Sequence, residues 1–274
     1  MNINERMKAF YEDRFRMHLP RRSNVIIRVD GKAFSTFTSK MKKPYDEDFI
    51  NDMNETAIHL CKNIQGAKMA YVQSDEISVW LTDYDTIQTD AWFDYNVQKM
   101  SSVAASFATA KFNQLRLIRA AESGNITSEQ IAQETLAMFD ARVLCISTLQ
   151  EVVNYFLARQ QDCTKNAISM AAQTYFSPSS LKSVNSDQKQ EMLFTEKGIN
   201  FNDYPTRFKR GGAVKKIKEL YSRKLGERLG NKIENINNLT SDEVYERNKW
   251  KIVETPIFSQ DVSFIETLIL TLKD

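Results

Sequence analysis

Histidine is almost absent from the 274 residues of this chain: His18 and His59 are the whole supply. That excludes a histidine-rich metal centre. The three cysteines (Cys61, Cys145 and Cys163) are odd in number and lack paired spacing. They argue against a disulfide framework or a cysteine zinc site. Eight glycines and five prolines mark few flexible linkers, and no internal repeat or low-complexity segment stands out. The opening MNINERMKAFYEDRFRMHLP holds no apolar stretch of signal-peptide length, and nothing downstream approaches a membrane span. A cytoplasmic protein with no membrane partner is therefore expected. Cationic and acidic side chains also nearly cancel, 37 Lys and Arg against 35 Asp and Glu. The net charge is only +2, so any nucleic-acid site has to come from local clustering rather than from the field of the whole molecule.

What is present is the composition of an ordinary globular chain, 42% hydrophobic and 26% charged, long enough for one large domain or a domain with a sizeable appendage. After an N-terminal helix, Ser23 to Asp30 (SNVIIRVD) reads as a buried strand that stops at the turn signal Asp30-Gly31. Phe49, Met53, Ala57, Leu60 and Ile64 have helical spacing within 46–64. Met69–Gln73 and Ile77–Leu81 look like two strands joined through Ser74-Asp75-Glu76. A helix over Val97 to Lys111, a strand over Arg142–Ser147 and a long helix over Leu149–Phe176 follow. The order β-α-β-β-α-β-α points to an α+β fold, a sheet with helices packed on one face. A soft boundary falls near 177–186, where turn formers cluster. It separates a first domain, 1–180, from a mixed C-terminal region, 181–274, with fewer strand signals and many basic side chains.

The informative feature is a pair of acidic sites, each at the end of an apolar strand. Asp30 follows VIIRV, and Asp75 and Glu76 sit between MAYVQ and ISVWL. Carboxylates held at a sheet end can offer the oxygen ligands and open positions that Mg²⁺ requires. Two ions so held can activate an attacking hydroxyl and neutralise a leaving pyrophosphate. Asp-Gly and Ser-Asp-Glu are also ordinary turn chemistry, and no spacing rule fixes them as ligands.

RVDGKAF at 28–34 resembles the R-[IL]-D-G-x-x-F signature of the tRNA-His guanylyltransferase family. Lys43-Pro44 with Asp46 follows at the family's distance, and AYVQSDE at 70–76 is similar to its A-Y-x-Q-S-D-E. RQQDC at 159–163 and KQEMLF at 189–194 resemble two further blocks, in register from about residue 5 to 212. Five blocks in the right order make coincidence a poor explanation.

The resemblance implies a palm-like antiparallel sheet and a Mg²⁺-dependent nucleotidyltransferase using two ions. Asp30, Asp75 and the Gly31 carbonyl are the implied metal ligands, with Glu76 assisting. The turn Asp30, Gly31, Lys32, Ala33, Phe34 and Ser35 would cradle a triphosphate through backbone N–H groups, with Ser74 at the same nucleotide. Lys43 would neutralise a phosphate, although a lysine before a proline is also an ordinary surface residue. The implied reaction activates an RNA 5′-monophosphate with ATP, after which the 3′-hydroxyl of GTP or another nucleoside triphosphate attacks the activated end. Partners on this reading are tRNA and nucleoside triphosphates, with a homotetramer expected by resemblance alone. One departure matters. Where members specialised for tRNA-His carry an H-I-N-N-like run, this chain has Thr164-Lys165-Asn166-Ala167. It resembles instead the like-protein branch that repairs truncated tRNA 5′ ends by templated addition, with dedicated tRNA-His maturation as the alternative.

RNA contacts are expected at Arg159, Asn166 and Lys189 in the matched blocks, although Arg159 and Asp162 could equally be a surface ion pair. They are also expected along Thr206 to Arg228, where Arg207, Lys209, Arg210, Lys215, Lys216, Lys218, Arg223, Lys224 and Arg228 face only Glu219 and Glu227. The bland alternative for that run is a solvated helix face. Two other functions would suit the carboxylates less well. A palm-type nucleotide cyclase has no reason to carry RQQDC and KQEMLF, and a non-catalytic RNA-binding protein gains little from clustered carboxylates facing phosphate.

Overall fold

A computed structural model of the chain describes residues 1–124, 136–222 and 244–270. Six strands form one sheet: β1 (Asn24–Gly31), β2 (Ala67–Gln73), β3 (Glu76–Thr82), β4 (Phe139–Ile146), β5 (Gly212–Ser222) and β6 (Val244–Glu254). Their order is β4-β1-β3-β2-β5-β6, and every neighbouring pair is antiparallel. The helices are α1 (Ile3–Met7), α2 (Phe34–Phe37), α3 (Glu47–Asn63), α4 (Val97–Glu122), α5 (Leu149–Tyr175), α6 (Ser186–Lys197), α7 (Thr206–Arg210) and α8 (Ser263–Leu270). None of the described helices is long and apolar enough to cross a membrane.

The antiparallel α+β architecture is the expected one, but helices expected on one face cover both. Because side chains alternate along a strand, Val25, Ile27 and Val29 of β1 enter the core beneath α3 and α4, together with Met53, Ala57, Leu60, Ala104 and Phe112. Ile26, between them, points the other way and packs with Trp80, Tyr71, Val152 and Phe156 under α5 and α8. The consecutive apolar residues Val25, Ile26 and Ile27 are therefore the signature of a strand buried on both sides.

Helix starts follow the local chemistry. Asp46 accepts from Phe49 N–H at 3.0 Å at the head of α3. Asn96 caps α4, Thr148 caps α5, and Asn185 with Gln188 closes a reciprocal capping box on α6.

The C-terminal region departs from expectation most. Its eleven-residue strands β5 and β6 pair throughout their length, and β5 adds to β2 through Met69↔Lys215 to Val72↔Gly212. The sheet thus runs across the soft boundary near 177–186. Lys215, Lys216 and Lys218 lie on a strand, which overturns the helix-face reading of the basic run. Arg223, Lys224 and Arg228 lie outside the described residues.

Candidate active site

One end of the sheet gathers the carboxylates. Asp30 is the cross-strand partner of Glu76 on β3 and of Asp140 on β4, so three acidic residues form a row on the α5 side. Asp75 occupies the tight turn between β2 and β3, beside Ser74, whose φ of 45° is left-handed. Desolvation raises the Asp75 pKa above the usual carboxylate value. The negative charges of Asp30 and Glu76 push the same way, against hydrogen bonds from Ser74 and its own backbone. A cation placed there would relieve that cost. Glu76 is already engaged: its Oε2 is 3.2 Å from Arg159 Nη1, and its Oε1 accepts from Gln73 Nε2 at 3.0 Å. Arg159 also reaches Asp162 at 3.4 Å, so the intrahelical pair is real, with the Glu76 link added to it.

Asp30, Ser74, Asp75 and Glu76 open into a cleft of about 410 Å³. The Thr38–Ile50 segment supplies one wall with Lys43, Pro44 and Tyr45, and α5 supplies the other with Asp162, Cys163, Asn166 and Ser169. Arg207 and Phe208 of α7 close the remaining side. Lys43 Nζ donates to Thr38 O at 3.2 Å within its own loop.

Other expected site residues stand back from the lining. Gly31, Lys32, Ala33, Phe34 and Ser35 lie behind Asp30. The Lys32 N–H is used by Met138 O at 2.8 Å, which leaves Ala33, Phe34 and Ser35 as the amides of that turn for an anion. Ala33 is left-handed at φ 57°. The Phe34 ring is core, 5.0 Å from the rings of Phe37 and Phe139. Gly31 makes room for it: a Cβ there would stand 2.3 Å from the Phe34 ring. Lys189 donates to Ser169 Oγ at 3.1 Å, one residue removed from the cleft. Lys209 donates to the Asn202 carbonyl. The Arg210 carbonyl accepts from Tyr71 Oη at 2.7 Å. Thr164, the residue at the departure from the family pattern, ties α5 to α7 through Lys209 O at 3.0 Å.

Sequence reading missed Asp140, because it started β4 at Arg142 rather than Phe139. The alternation Phe139, Ala141, Val143 was the available signal. It also gave no role to Gln73, which lies within AYVQSDE and bonds Glu76, or to Asn54, which holds Arg207 without belonging to any motif.

Among the described residues no three His, Cys, Asp or Glu side chains converge into a self-sufficient metal centre. Two carboxylates beside a basic wall suit a hard cation that completes its shell with water and phosphate oxygens. Fold and cleft together set carboxylates opposite basic side chains on an antiparallel sheet, an arrangement suited to phosphate chemistry. Known proteins make the class specific. The family model described as tRNAHis guanylyltransferase (Thg1) matches residues 4–147. A bacterial Thg1-like protein solved in complex with ATP is 38% identical, covers 98% of this chain and 99% of its own, and superposes with a TM-score of 0.78. Its counterpart in complex with GTP is likewise 38% identical, covering 97% of this chain and 98% of that one, with a TM-score of 0.74. The tRNA(His) guanylyltransferase of Debaryomyces hansenii is 31% identical over 201 residues, 68% of this chain and 71% of that one. The chain belongs to the tRNAHis guanylyltransferase family. It is a nucleotidyltransferase that acts on tRNA.

Proposed function

We propose that the protein is a Mg²⁺-dependent 3′–5′ nucleotidyltransferase that repairs tRNA 5′ ends under the direction of the opposite strand. The observation that carries this reading is the cleft itself. It joins Asp30, Asp75 and Glu76, from separate strand ends, to Lys43, Asn166 and Arg207, from three other segments. Asp30 and Asp75, with the Gly31 carbonyl, would hold the metal as two ions. The metal would supply charge neutralisation on the transferring phosphates. The chain's own part is positioning: Lys43 and Arg207 meet phosphate, Ser74 fixes the Asp75 carboxylate, and the amides after Gly31 receive the triphosphate. Both stages are in-line phosphoryl transfers, so orientation and charge suffice and no histidine base is required. The tRNA 5′-phosphate is first activated with ATP, and the 3′-hydroxyl of the incoming nucleotide then displaces the activating group.

Repair rather than tRNA-His maturation is favoured by Thr164, whose hydroxyl is committed to the α5–α7 junction where the specialised branch carries a histidine. Dedicated guanylylation is the second reading, favoured by the name of the Debaryomyces relative. The test uses several 5′-monophosphorylated tRNAs lacking their first nucleotide, with Mg²⁺, ATP and all four nucleoside triphosphates, wild type beside Asp75→Ala. Template-matched extension of all of them, lost in the variant, is expected. Addition of a single G to tRNA-His alone would establish the narrower activity, and no extension at all would overturn both.

A further inference from the structure

Arg207 lacks the acidic partner that several other arginines of this fold have. Arg21 is tied to Asp83, Arg119 to Asp48 and Asp52, and Arg159 to Glu76 and Asp162. Arg207 makes no ion pair among the described residues. Its one hydrogen bond runs from Nε to Asn54 Oδ1 at 2.8 Å, and Asn54 is buried on α3. Its Nη2 is shut off from solvent and has no partner. Its titratable neighbours, Cys163 and Tyr71, are both neutral, since burial pushes the Cys163 thiol up to about 11 and the Tyr71 hydroxyl well above its ordinary value. Burial also lowers the Arg207 pKa. The site is shaped for this side chain. A Cβ at Gly212 would lie 2.8 Å from Arg207 Cδ and 3.1 Å from its Nε.

A desolvated guanidinium without an internal anion is costly to a fold. Here it stands in the wall of the cleft that also holds Asp30 and Asp75. We propose that Arg207 is a phosphate anchor of this cleft, presented by Asn54, and that its ligand is a phosphate group of the substrate. That phosphate belongs either to the triphosphate of the nucleotide or to the 5′ end of the RNA. Asn54 occupies Nε, neither Nη group has a partner among the described residues, and a small turn of the guanidinium would present both as the fork for phosphate oxygens. Asn54 is on this account a positioning residue. The proposal rests on the cleft being the nucleotide site and names one of its contacts.

The experiment measures binding and stability of wild type, Arg207→Met, Arg207→Lys and Asn54→Ala. The ligands are Mg-ATP and one truncated tRNA with either a 5′-phosphate or a 5′-hydroxyl. Arg207→Met is expected to weaken one phosphate-bearing ligand about ten-fold or more, a charge-assisted pair having been lost. Arg207→Lys should recover part of that loss. Asn54→Ala should weaken the same ligand by roughly three- to ten-fold, on the order of one hydrogen bond. Arg207→Met should melt at or above the wild-type temperature, because the methionine keeps the stem and removes a charge with no internal partner. Loss confined to Mg-ATP assigns the triphosphate. Loss confined to the 5′-phosphorylated RNA, with the 5′-hydroxyl form unaffected, assigns the RNA terminus. Unchanged affinity for every ligand, equal loss for both RNA forms with Mg-ATP intact, or a large fall in melting temperature of Arg207→Met would each overturn the assignment. Mg-ATP binding is read without extension, so an inactive wild type would sink the repair reading and leave this test standing.

Discussion

The link between Arg159 and Glu76 gives a test whose size follows from the structure. The pair is 3.2 Å apart, with Glu76 13% and Arg159 22% exposed. Exposed ion pairs contribute about 0–1 kcal/mol, whereas removing one partner of a fully buried pair costs about 3–5 kcal/mol. A pair this enclosed, yet touching a solvent-open cleft, belongs between those limits. Arg159→Met should therefore destabilise the protein by roughly 1–3 kcal/mol. The second partner, Asp162, is 45% exposed and adds at most about 0.5 kcal/mol. Urea unfolding of wild type, Arg159→Met, Glu76→Gln and the double variant measures the coupling directly. About 1–2 kcal/mol is expected, with little dependence on salt because the contact is shielded. The same variants separate two roles for Arg159. If it holds Glu76 in place, Arg159→Met slows extension with the salt slope of RNA binding unchanged. If it grips an RNA phosphate, that slope falls by about one. Stability effects that add within about 0.5 kcal/mol would refute the coupling, and a flattened slope would return Arg159 to the RNA.

Asp75→Asn should be more stable than wild type at neutral pH without metal, because a desolvated carboxylate held among other acids is replaced by a neutral amide. A raised folded pKa means the native state binds the extra proton. Wild-type stability therefore falls as pH rises from the ordinary carboxylate value through the raised one. The advantage of Asp75→Asn should vanish on acidification through that window, and Mg²⁺ should stabilise wild type selectively; thermal melts with the variant below wild type at pH 7 would contradict this. Gly66→Ala should cost about 2–4 kcal/mol, since it combines a left-handed backbone with a severe contact. The φ there is 79°, and a Cβ would stand 2.2 Å from Thr82 O. A loss below about 1 kcal/mol in chemical denaturation would mean that the β3 end gives way easily. Replacing Lys215, Lys216 and Lys218 by glutamate should weaken tRNA binding at least ten-fold at low salt and lower the salt slope by about two to three. Unchanged binding in a salt titration would assign those lysines to the fold surface.

Legibility tracked how local each signal is. β1, β2 and β3 were readable to within about two residues at their ends, because each is an apolar run closed by turn chemistry at 30–31 and 74–76. α3 declared itself through Phe49, Met53, Ala57 and Leu60, all of which are buried on one side. β5 and β6 were not readable because neither keeps a polar–apolar alternation: cations occupy positions on both faces and lie over aromatic rings of neighbouring elements. Lys215 lies over Phe264 at 4.1 Å and Lys216 over Trp250 at 5.1 Å. Lys249 and Arg247 lie over Tyr221 at 5.0 and 5.4 Å. Lysine stems there do the covering that valine does elsewhere. The carboxylates of the site were legible as strand ends, but their convergence needed β1 and β3 to be neighbours. Asn54 was illegible in principle: its importance exists only because α7, far along the chain, brings Arg207 over α3.

Several residues of the cleft share a physical property. A fold selected for stability alone would not place alanine and serine in left-handed conformations at 33 and 74, where glycine sits without steric cost. Nor would it bury Asp75 beside two other acids, or leave Arg207 without a counter-ion among the described residues. Left-handed backbone also occurs away from the cleft, at Arg22, Phe93, Asp94, Tyr95 and Ser183; of these, Asp94 and Tyr95 spend their side chains on Arg21 and on Asp83. Around the cleft the unfavourable features carry opposite charges on opposite walls. Each would be relieved by what the other side lacks: a cation between the acids, an anion on the arginine. A metal-bound phosphate chain would supply both at once, which is what the proposed reaction requires of its substrate.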